Sequence, residues 1–140
     1  MRAWAIAASG AWLLGCAAPP PAPAPAPAAN FAVVVDEAVE KAEDEGTAYA
    51  KVFVDGAIAG QTSTGPRSQE KHWETRLAPG NRLIRVEYWV LPGLGAWEKL
   101  PDDFQPRERF FRIEERLKTK LTVRFSEKGR SNAVIVSREP

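Results

Sequence analysis

The stretch AYAKVFVDG, Ala48–Gly56, decides the fold class because its side chains alternate with a period of two. One side of the extended chain carries Tyr49, Lys51 and Phe53, and the other carries Ala50, Val52 and Val54. The stretch ends in Asp55-Gly56, a pair that favours a tight turn between antiparallel strands. We therefore predict a β-strand that leads into a hairpin.

The same alternation continues outward from this strand in both directions. The predicted strands are Phe31–Val39, Ala48–Val54, Trp73–Leu77, Leu83–Val90, Phe111–Ile113, Leu121–Phe125 and Ala133–Val136. Turn residues, such as Pro79-Gly80 and Glu127-Lys128-Gly129, separate several of them. Seven strands with short turns predict an all-β fold, a small antiparallel β-sandwich, with a barrel as the alternative.

The segment DEAVEKAEDEG, Asp36–Gly46, is compatible with two local structures. A cap-like Asp36, a Glu37–Lys41 pair and the terminal Gly46 fit a short helix. The segment also follows a predicted strand directly, which fits a strand that continues into an acidic hairpin turn. We expect the hairpin turn and keep the short helix as the alternative.

Two stretches of the predicted domain carry a resemblance to a known class of module. VFVDGAIAGQT (Val52–Thr62) and LAPGNRLIRVEYWV (Leu77–Val90) resemble the PEGA-type and carboxypeptidase-regulatory-like small β-sandwiches of bacterial surfaces. The shared features are a strand ending in Asp-Gly, a following Gly-x-Thr, and a later Leu-x-Pro-Gly that opens a long strand. The resemblance implies an extracytoplasmic binding or scaffolding unit without catalytic residues.

The beginning of the chain has the layout of a secretory signal. Arg2 precedes a short apolar run, Ala3–Leu14, which is too short to predict a membrane-spanning helix. The run ends in Leu13-Leu14-Gly15-Cys16, which resembles the lipobox of bacterial lipoproteins. The resemblance implies cleavage before Cys16, a diacylglycerol on its sulfur and acylation of the new amino terminus. An ordinary secreted protein is the alternative.

The segment after Cys16 is rich in proline and alanine. Six of the twelve prolines lie at positions 19, 20, 21, 23, 25 and 27. Proline fixes φ and lacks an N–H group, so the chain favours an extended rod that rises ~3.1 Å per residue. We therefore divide the chain into a signal peptide (1–15), a lipidated cysteine with a tether (16–30) and one β-sandwich domain (31–140). The expected location is the cell envelope, with the outer membrane favoured.

The charge of the domain argues against nucleic-acid binding. The chain has a formal net charge of +1, and Arg2 is the only charged residue before Phe31, so the domain carries no net charge. The distribution is uneven, since Phe31–Ala50 is acidic and Gln105–Arg130 is basic. A lipid-anchored location outside the cytoplasm argues against a nucleic-acid partner more strongly.

The sequence shows no pattern of a catalytic, metal or cofactor site. His72 is the single histidine and Cys16 the single cysteine, whereas a zinc site needs several such ligands at set spacing. The pairs Asp102-Asp103 and Glu114-Glu115 are adjacent, and neighbouring strand residues point to opposite faces. We predict that the protein is not an enzyme and uses no cofactor, and that His72 is a surface residue.

One long connection is a candidate for binding. Leu91–Pro106, LPGLGAWEKLPDDFQP, is long for a loop inside a compact sandwich, and long loops are often functional. It carries the large apolar side chains Leu94, Trp97, Leu100 and Phe104. These side chains could contact a ligand or partner, with Trp97 as the anchor, or could fold back to cap the sandwich.

A basic face is the second candidate. If the apolar residues of two late strands point inward, then Arg112, Lys118, Lys120 and Arg124 point outward. On neighbouring strands they would form a positive stripe able to meet an anionic polymer, a lipid headgroup or an acidic partner. A solvated face that discourages edge aggregation is the alternative.

These features together predict a lipid-anchored envelope lipoprotein whose β-sandwich is a non-catalytic binding or scaffolding module. An envelope protein is the expected partner. A glycan or another anionic envelope polymer is the alternative ligand, and a hydrolase or an enzyme inhibitor follows behind both. The sequence does not indicate an oligomeric state.

Overall fold

The computed structural model describes residues 15–140, which form ten β-strands and no α-helix. The strands are β1 (Phe31–Glu37), β2 (Thr47–Val54), β3 (Ala57–Gln61), β4 (Gly65–Pro66), β5 (Lys71–Thr75), β6 (Gly80–Leu91), β7 (Glu98–Lys99), β8 (Arg109–Ile113), β9 (Lys118–Ser126) and β10 (Ser131–Glu139). The all-β prediction is confirmed. The strands that the sequence pattern did not predict are β3, β4 and β7, of which β4 and β7 have only two residues each.

The strands form two sheets, as expected for a small sandwich. The four-stranded sheet has the order β10-β9-β1-β5, and the six-stranded sheet runs β3-β2-β6-β7 with β4 beside β2 and β8 beside β6. Every pairing is antiparallel except β1 with β9, which is parallel with Phe31 opposite Thr119. Because β1 lies between β5 and β9, the first strand of the domain is an interior strand of its sheet.

The core lies between the two sheets and follows the period of two. In β2, Ala48, Ala50 and Val52 are buried, whereas the alternate positions are only half-buried. The inward positions predicted on β8 and β9 are also buried: they are Phe111, Ile113, Leu121, Val123 and Phe125. The Tyr88 and Phe125 rings stack with centroids 4.4 Å apart and so join the two sheets.

The connection from β1 to β2 is not the expected hairpin. β1 ends at Glu37, a single 3-10 turn covers Ala42–Asp44, and β2 begins at Thr47 in the other sheet. A hairpin requires its two strands to be neighbours, but β1 is flanked by β5 and β9. The hairpin prediction is therefore wrong, and the acidic segment carries the chain across from one sheet to the other.

The Asp55-Gly56 turn joins β2 to β3 as the sequence predicts. Both residues have left-handed backbones, with φ of 51° and 84°, which suits the twist of a two-residue hairpin. The Asp55 carboxylate also accepts hydrogen bonds from the Leu83 N–H (3.0 Å) and from Arg82 (3.1 Å). The backbone N–H bond lowers the pKa of Asp55, with a further contribution from Arg82.

Candidate functional site

The long connection after β6 folds partly back onto the sheet. Its strand β7 pairs with the end of β6, so that Lys99 lies opposite Trp89 and Glu98 opposite Val90. The Asp102 carboxylate accepts a hydrogen bond from Lys99 (2.9 Å), which raises the pKa of the lysine. Because β7 pairs back onto the end of β6, the residues between the two strands form a projecting tip, at which the Leu94 side chain is fully exposed.

The second half of the connection caps the core. Leu100 is buried and Phe104 is partly buried against the core cluster. The Gln105 side chain holds this half in place, because it accepts a hydrogen bond from the Tyr88 N–H (2.8 Å) and donates to the carbonyls of Tyr88 (3.1 Å) and Leu100 (3.0 Å). Leu100 and Phe104, two of the four loop residues predicted to contact a ligand or partner, therefore pack against the core.

Trp97 lies on the outer face of the six-stranded sheet. Its ring meets the Tyr49 ring edge-on, with centroids 4.8 Å apart, and Tyr49 stacks beside Trp89 at 6.4 Å. We call Tyr49, Trp89 and Trp97 the aromatic cluster. Tyr49 and Trp89 face outward because they are direct cross-strand partners that alternate with buried residues. Trp97 remains 37% exposed.

Cations and further apolar side chains extend this outer face. The Lys51 ammonium lies 4.2 Å from the centre of the Trp89 ring, and the Arg85 guanidinium 3.8 Å from that of Phe53. Ile58 is 59% exposed and Phe110 68% exposed. The outer face of the six-stranded sheet thus combines exposed aromatic and aliphatic groups with lysine and arginine side chains that lie over aromatic rings.

The predicted basic face is divided between the two sheets. Lys118, Lys120 and Arg124 lie on β9, whereas Arg112 lies on β8 in the six-stranded sheet. The inference that β8 and β9 are neighbours is therefore wrong, because β8 pairs with β6 and β9 with β1 and β10.

Carboxylates also lie close to most of these cations. The closest pairs are Lys118–Glu74 (2.5 Å), Arg112–Glu114 (3.7 Å) and Arg124–Asp36 (3.9 Å). The bond from Lys118 lowers the pKa of Glu74. The surface is consequently a mixed-charge face rather than a continuous positive stripe.

Cys16, the predicted lipidation site, lies at the start of the part of the chain that the structure describes. Residues 1–14, which include nearly all of the predicted signal peptide, lie outside the described residues, while Cys16 is exposed. Residues 15–30 form no strand or helix. Within residues 15–140, no helix has the length and apolar character needed to span a membrane.

A buried polar network was not foreseen from the sequence. The Glu37 side chain is 1% exposed and accepts two hydrogen bonds from Arg67, at 3.1 and 2.5 Å, and one from the Tyr88 hydroxyl at 2.6 Å. The bond to Glu37 raises the pKa of Arg67, and burial raises that of Tyr88. Beside them Lys71 is buried and donates to three backbone carbonyls, and burial lowers its pKa.

A pocket of about 320 Å³ opens beyond this network at one end of the sandwich. Its walls come from the β1–β2 connection, from Arg67 and from the β9–β10 turn. The turn residues Glu127, Lys128 and Gly129 all have left-handed backbones, and Lys128 pairs with Asp44 at 3.1 Å. The walls carry charged side chains of both signs, of which Arg67 pairs with Glu37 and Lys128 with Asp44.

Within residues 15–140, no three His, Cys, Asp or Glu side chains are grouped so as to hold a metal ion. His72 is exposed, as expected, and lies 3.7 Å from Glu74. The candidate binding site consists of the aromatic cluster, in which Trp97 is partly exposed, and the fully exposed Leu94 at the tip.

Comparison of the chain with protein-family models, with curated proteins and with solved structures finds no match.

Proposed function

We propose that the protein is a lipid-anchored envelope lipoprotein whose β-sandwich binds another envelope protein. The observation that carries the proposal is the aromatic cluster on the outer face of the six-stranded sheet, together with the exposed Leu94 in the same connection as Trp97. Tyrosine, tryptophan and arginine supply much of the binding energy at protein interfaces. The proposed role is scaffolding or recognition, without catalysis.

The two halves of the Leu91–Pro106 connection support this role in different ways. Leu100, Phe104 and Gln105 tie the second half to the core, which limits the conformations open to the first half. Trp97 is braced by Tyr49 while part of its surface stays accessible. An interface residue held in this way loses little conformational freedom on binding, which favours affinity.

A glycan ligand is the second candidate, because the exposed Trp97 ring could stack on a sugar. The geometry favours a protein, since Lys51 covers one face of the Trp89 ring and reduces the flat aromatic area that sugar stacking needs. An anionic polymer has less support, because carboxylates compensate most of the predicted basic residues.

The test begins with a photoreactive amino acid at Leu94 in the full-length protein, expressed in its native cells. The cross-linked protein is identified, purified and titrated against the wild type and two variants. Trp97→Ala should weaken binding by ~2 kcal/mol, about 30-fold, and lower the free energy of unfolding by ~1 kcal/mol or less.

Leu100→Ala is the matched control from the same connection. It should lower the free energy of unfolding by ~3 kcal/mol because it empties a core position, while the folded fraction keeps its affinity. Unchanged affinity in Trp97→Ala, combined with a large loss of stability, would contradict the proposal. Quenching of tryptophan fluorescence by an envelope glycan, lost in Trp97→Ala, would instead select the glycan alternative.

A further inference from the structure

β10 is the longest edge strand within residues 15–140. It pairs with β9 at all nine of its positions, from Ser131 to Glu139, and it ends the order of the four-stranded sheet. Within residues 15–140 no strand lies on its other side. The backbone N–H and C=O groups that point away from β9 therefore face solvent, which makes β10 a template for another strand.

β10 also has little of the protection that edge strands usually carry, since its only charged residues, Arg138 and Glu139, lie at one end. Its sequence, SNAVIVSRE, contains no proline, glycine or lysine, and its register with β9 is unbroken. The opposite edge strand in the other sheet, β3, contains Gly60 and has a register shift against β2. Open edges are normally short or interrupted, so the length and regularity of β10 suggest that it is paired.

Two apolar side chains of β10 remain unusually accessible. Val136 lies opposite the buried Leu121 and so faces the core, yet it is 37% exposed. Ile135 faces the outer side of the sheet and is 45% exposed. A strand placed beside β10 would cover both side chains.

The sequence of β10 has nearly the same polarity in both directions around Ile135. Val134 and Val136 flank the centre, Ala133 and Ser137 follow, then Asn132 and Arg138, and finally Ser131 and Glu139. In an antiparallel pair of identical strands centred on Ile135, residues at equal distance from the centre lie opposite each other. Apolar residues then meet apolar residues, small residues meet small ones, and no two like charges are opposed.

We propose that two copies of the protein pair through their β10 edges, antiparallel and in register about Ile135. The two four-stranded sheets then form one continuous eight-stranded sheet with a two-fold axis at Ile135. This dimer is independent of the proposed binding surface, which lies on the other sheet.

Other registers are disfavoured by the same residues. A shift by one position places core-facing side chains opposite solvent-facing ones. Centring the pair on Val134 opposes Arg130 to Arg138 of the second copy, and centring it on Val136 opposes Val134 to Arg138. Only the register about Ile135 places Val134, Ile135 and Val136 opposite apolar residues of the second copy.

Cysteine cross-linking of the full chain tests both the dimer and its register. In a Cys16→Ser background, Ala133→Cys and Ser137→Cys are made separately, since these positions lie opposite each other across the proposed pair. Directly opposed strand residues have Cα atoms ~4.5–5.5 Å apart, which suits a disulfide. Under mild oxidation the mixture should give a covalent heterodimer, while each variant alone gives several-fold less dimer. Equal cross-linking in all three samples would overturn the register.

Sedimentation of the full chain in the Cys16→Ser background tests the dimer without a cross-link. The protein should sediment with twice the mass of one chain and dissociate on dilution. Ile135→Lys, which opposes two lysines at the axis, should reduce the mass to that of one chain and leave the circular dichroism spectrum unchanged. Ile58→Lys on the other sheet is the control and should remain dimeric. A monomer at every concentration, or a dimer that Ile135→Lys leaves intact, would overturn the proposal.

Discussion

At the scale of single residues, Glu37 links distant parts of the chain. Its carboxylate is buried, and its two partners, Arg67 and Tyr88, are 30 and 51 residues away in sequence. In the sequence it is one acid among several in Phe31–Ala50, and nothing local marks it as buried. A network of this kind depends on the pairing of distant strands, so sequence patterns alone could not reveal it.

Removal of Arg67 should destabilise the protein strongly. Arg67→Ala leaves the buried Glu37 carboxylate without its ion-pair partner, which should lower the free energy of unfolding by ~3–5 kcal/mol in urea titrations. Arg76→Ala is the control, because its partner Glu115 is exposed, and it should cost less than ~1 kcal/mol. Equal losses of unfolding free energy in the two variants would mean that the buried pair stabilises the protein no more than the exposed pair does.

Tyr88 should make stability fall at alkaline pH. Burial raises the pKa of its phenol above the ordinary value of 10.0, so the folded protein keeps the proton that the unfolded chain loses. The unfolded state then binds fewer protons, and stability decreases above pH 10 by up to ~1.4 kcal/mol per pH unit. Tyr88→Phe should show a shallower decline in denaturant titrations between pH 9 and 11. Parallel curves for the two proteins would exclude this role for Tyr88.

At the scale of elements, the period-two pattern predicted which side chains face inward on β8 and β9, because alternation follows from strand geometry alone. It did not predict which strands are neighbours. Arg112 and Lys118 are close in sequence, yet their strands belong to different sheets. The sequence also identified Leu91–Pro106 as a long connection. It could not show that Leu100 and Phe104 cap the core while Trp97 stays on the outer face, because this depends on the pairing of β7 with β6.

The β2–β3 hairpin should depend on the backbone of Gly56. Its φ of +84° strains any L side chain, although no atom would contact an added Cβ within 4 Å. Gly56→Ala should therefore lower the free energy of unfolding by ~1–2 kcal/mol through strain alone. Gly95→Ala is the control, since its φ is outside the left-handed region and its nearest atom is at 3.6 Å; it should stay within ~0.5 kcal/mol of wild type. A loss no larger than that of the control would contradict this account.

At the scale of the whole molecule, the predicted tether and the fold determine how the domain would sit near a membrane. Asn30 fixes the start of the domain, because its side chain exchanges hydrogen bonds with the backbone of Leu77 at 2.8 and 2.9 Å. The Ala/Pro segment before it could span roughly 40 Å if extended. The proposed binding surface would then be held away from the lipid, where the proposed protein partner could reach it.

This arrangement depends on Cys16. If the cysteine carries a diacylglycerol and its amino terminus is acylated, several hydrocarbon chains act together, whereas one chain alone anchors only marginally. Cys16→Ala should leave the protein unprocessed or move it out of the membrane fraction in cell fractionation. Ala17→Ser, which keeps the cysteine, should stay with the membrane. Mass spectrometry of the mature wild type should find a lipid-modified amino-terminal cysteine, and an unmodified terminus downstream of Cys16 would rule out the anchor.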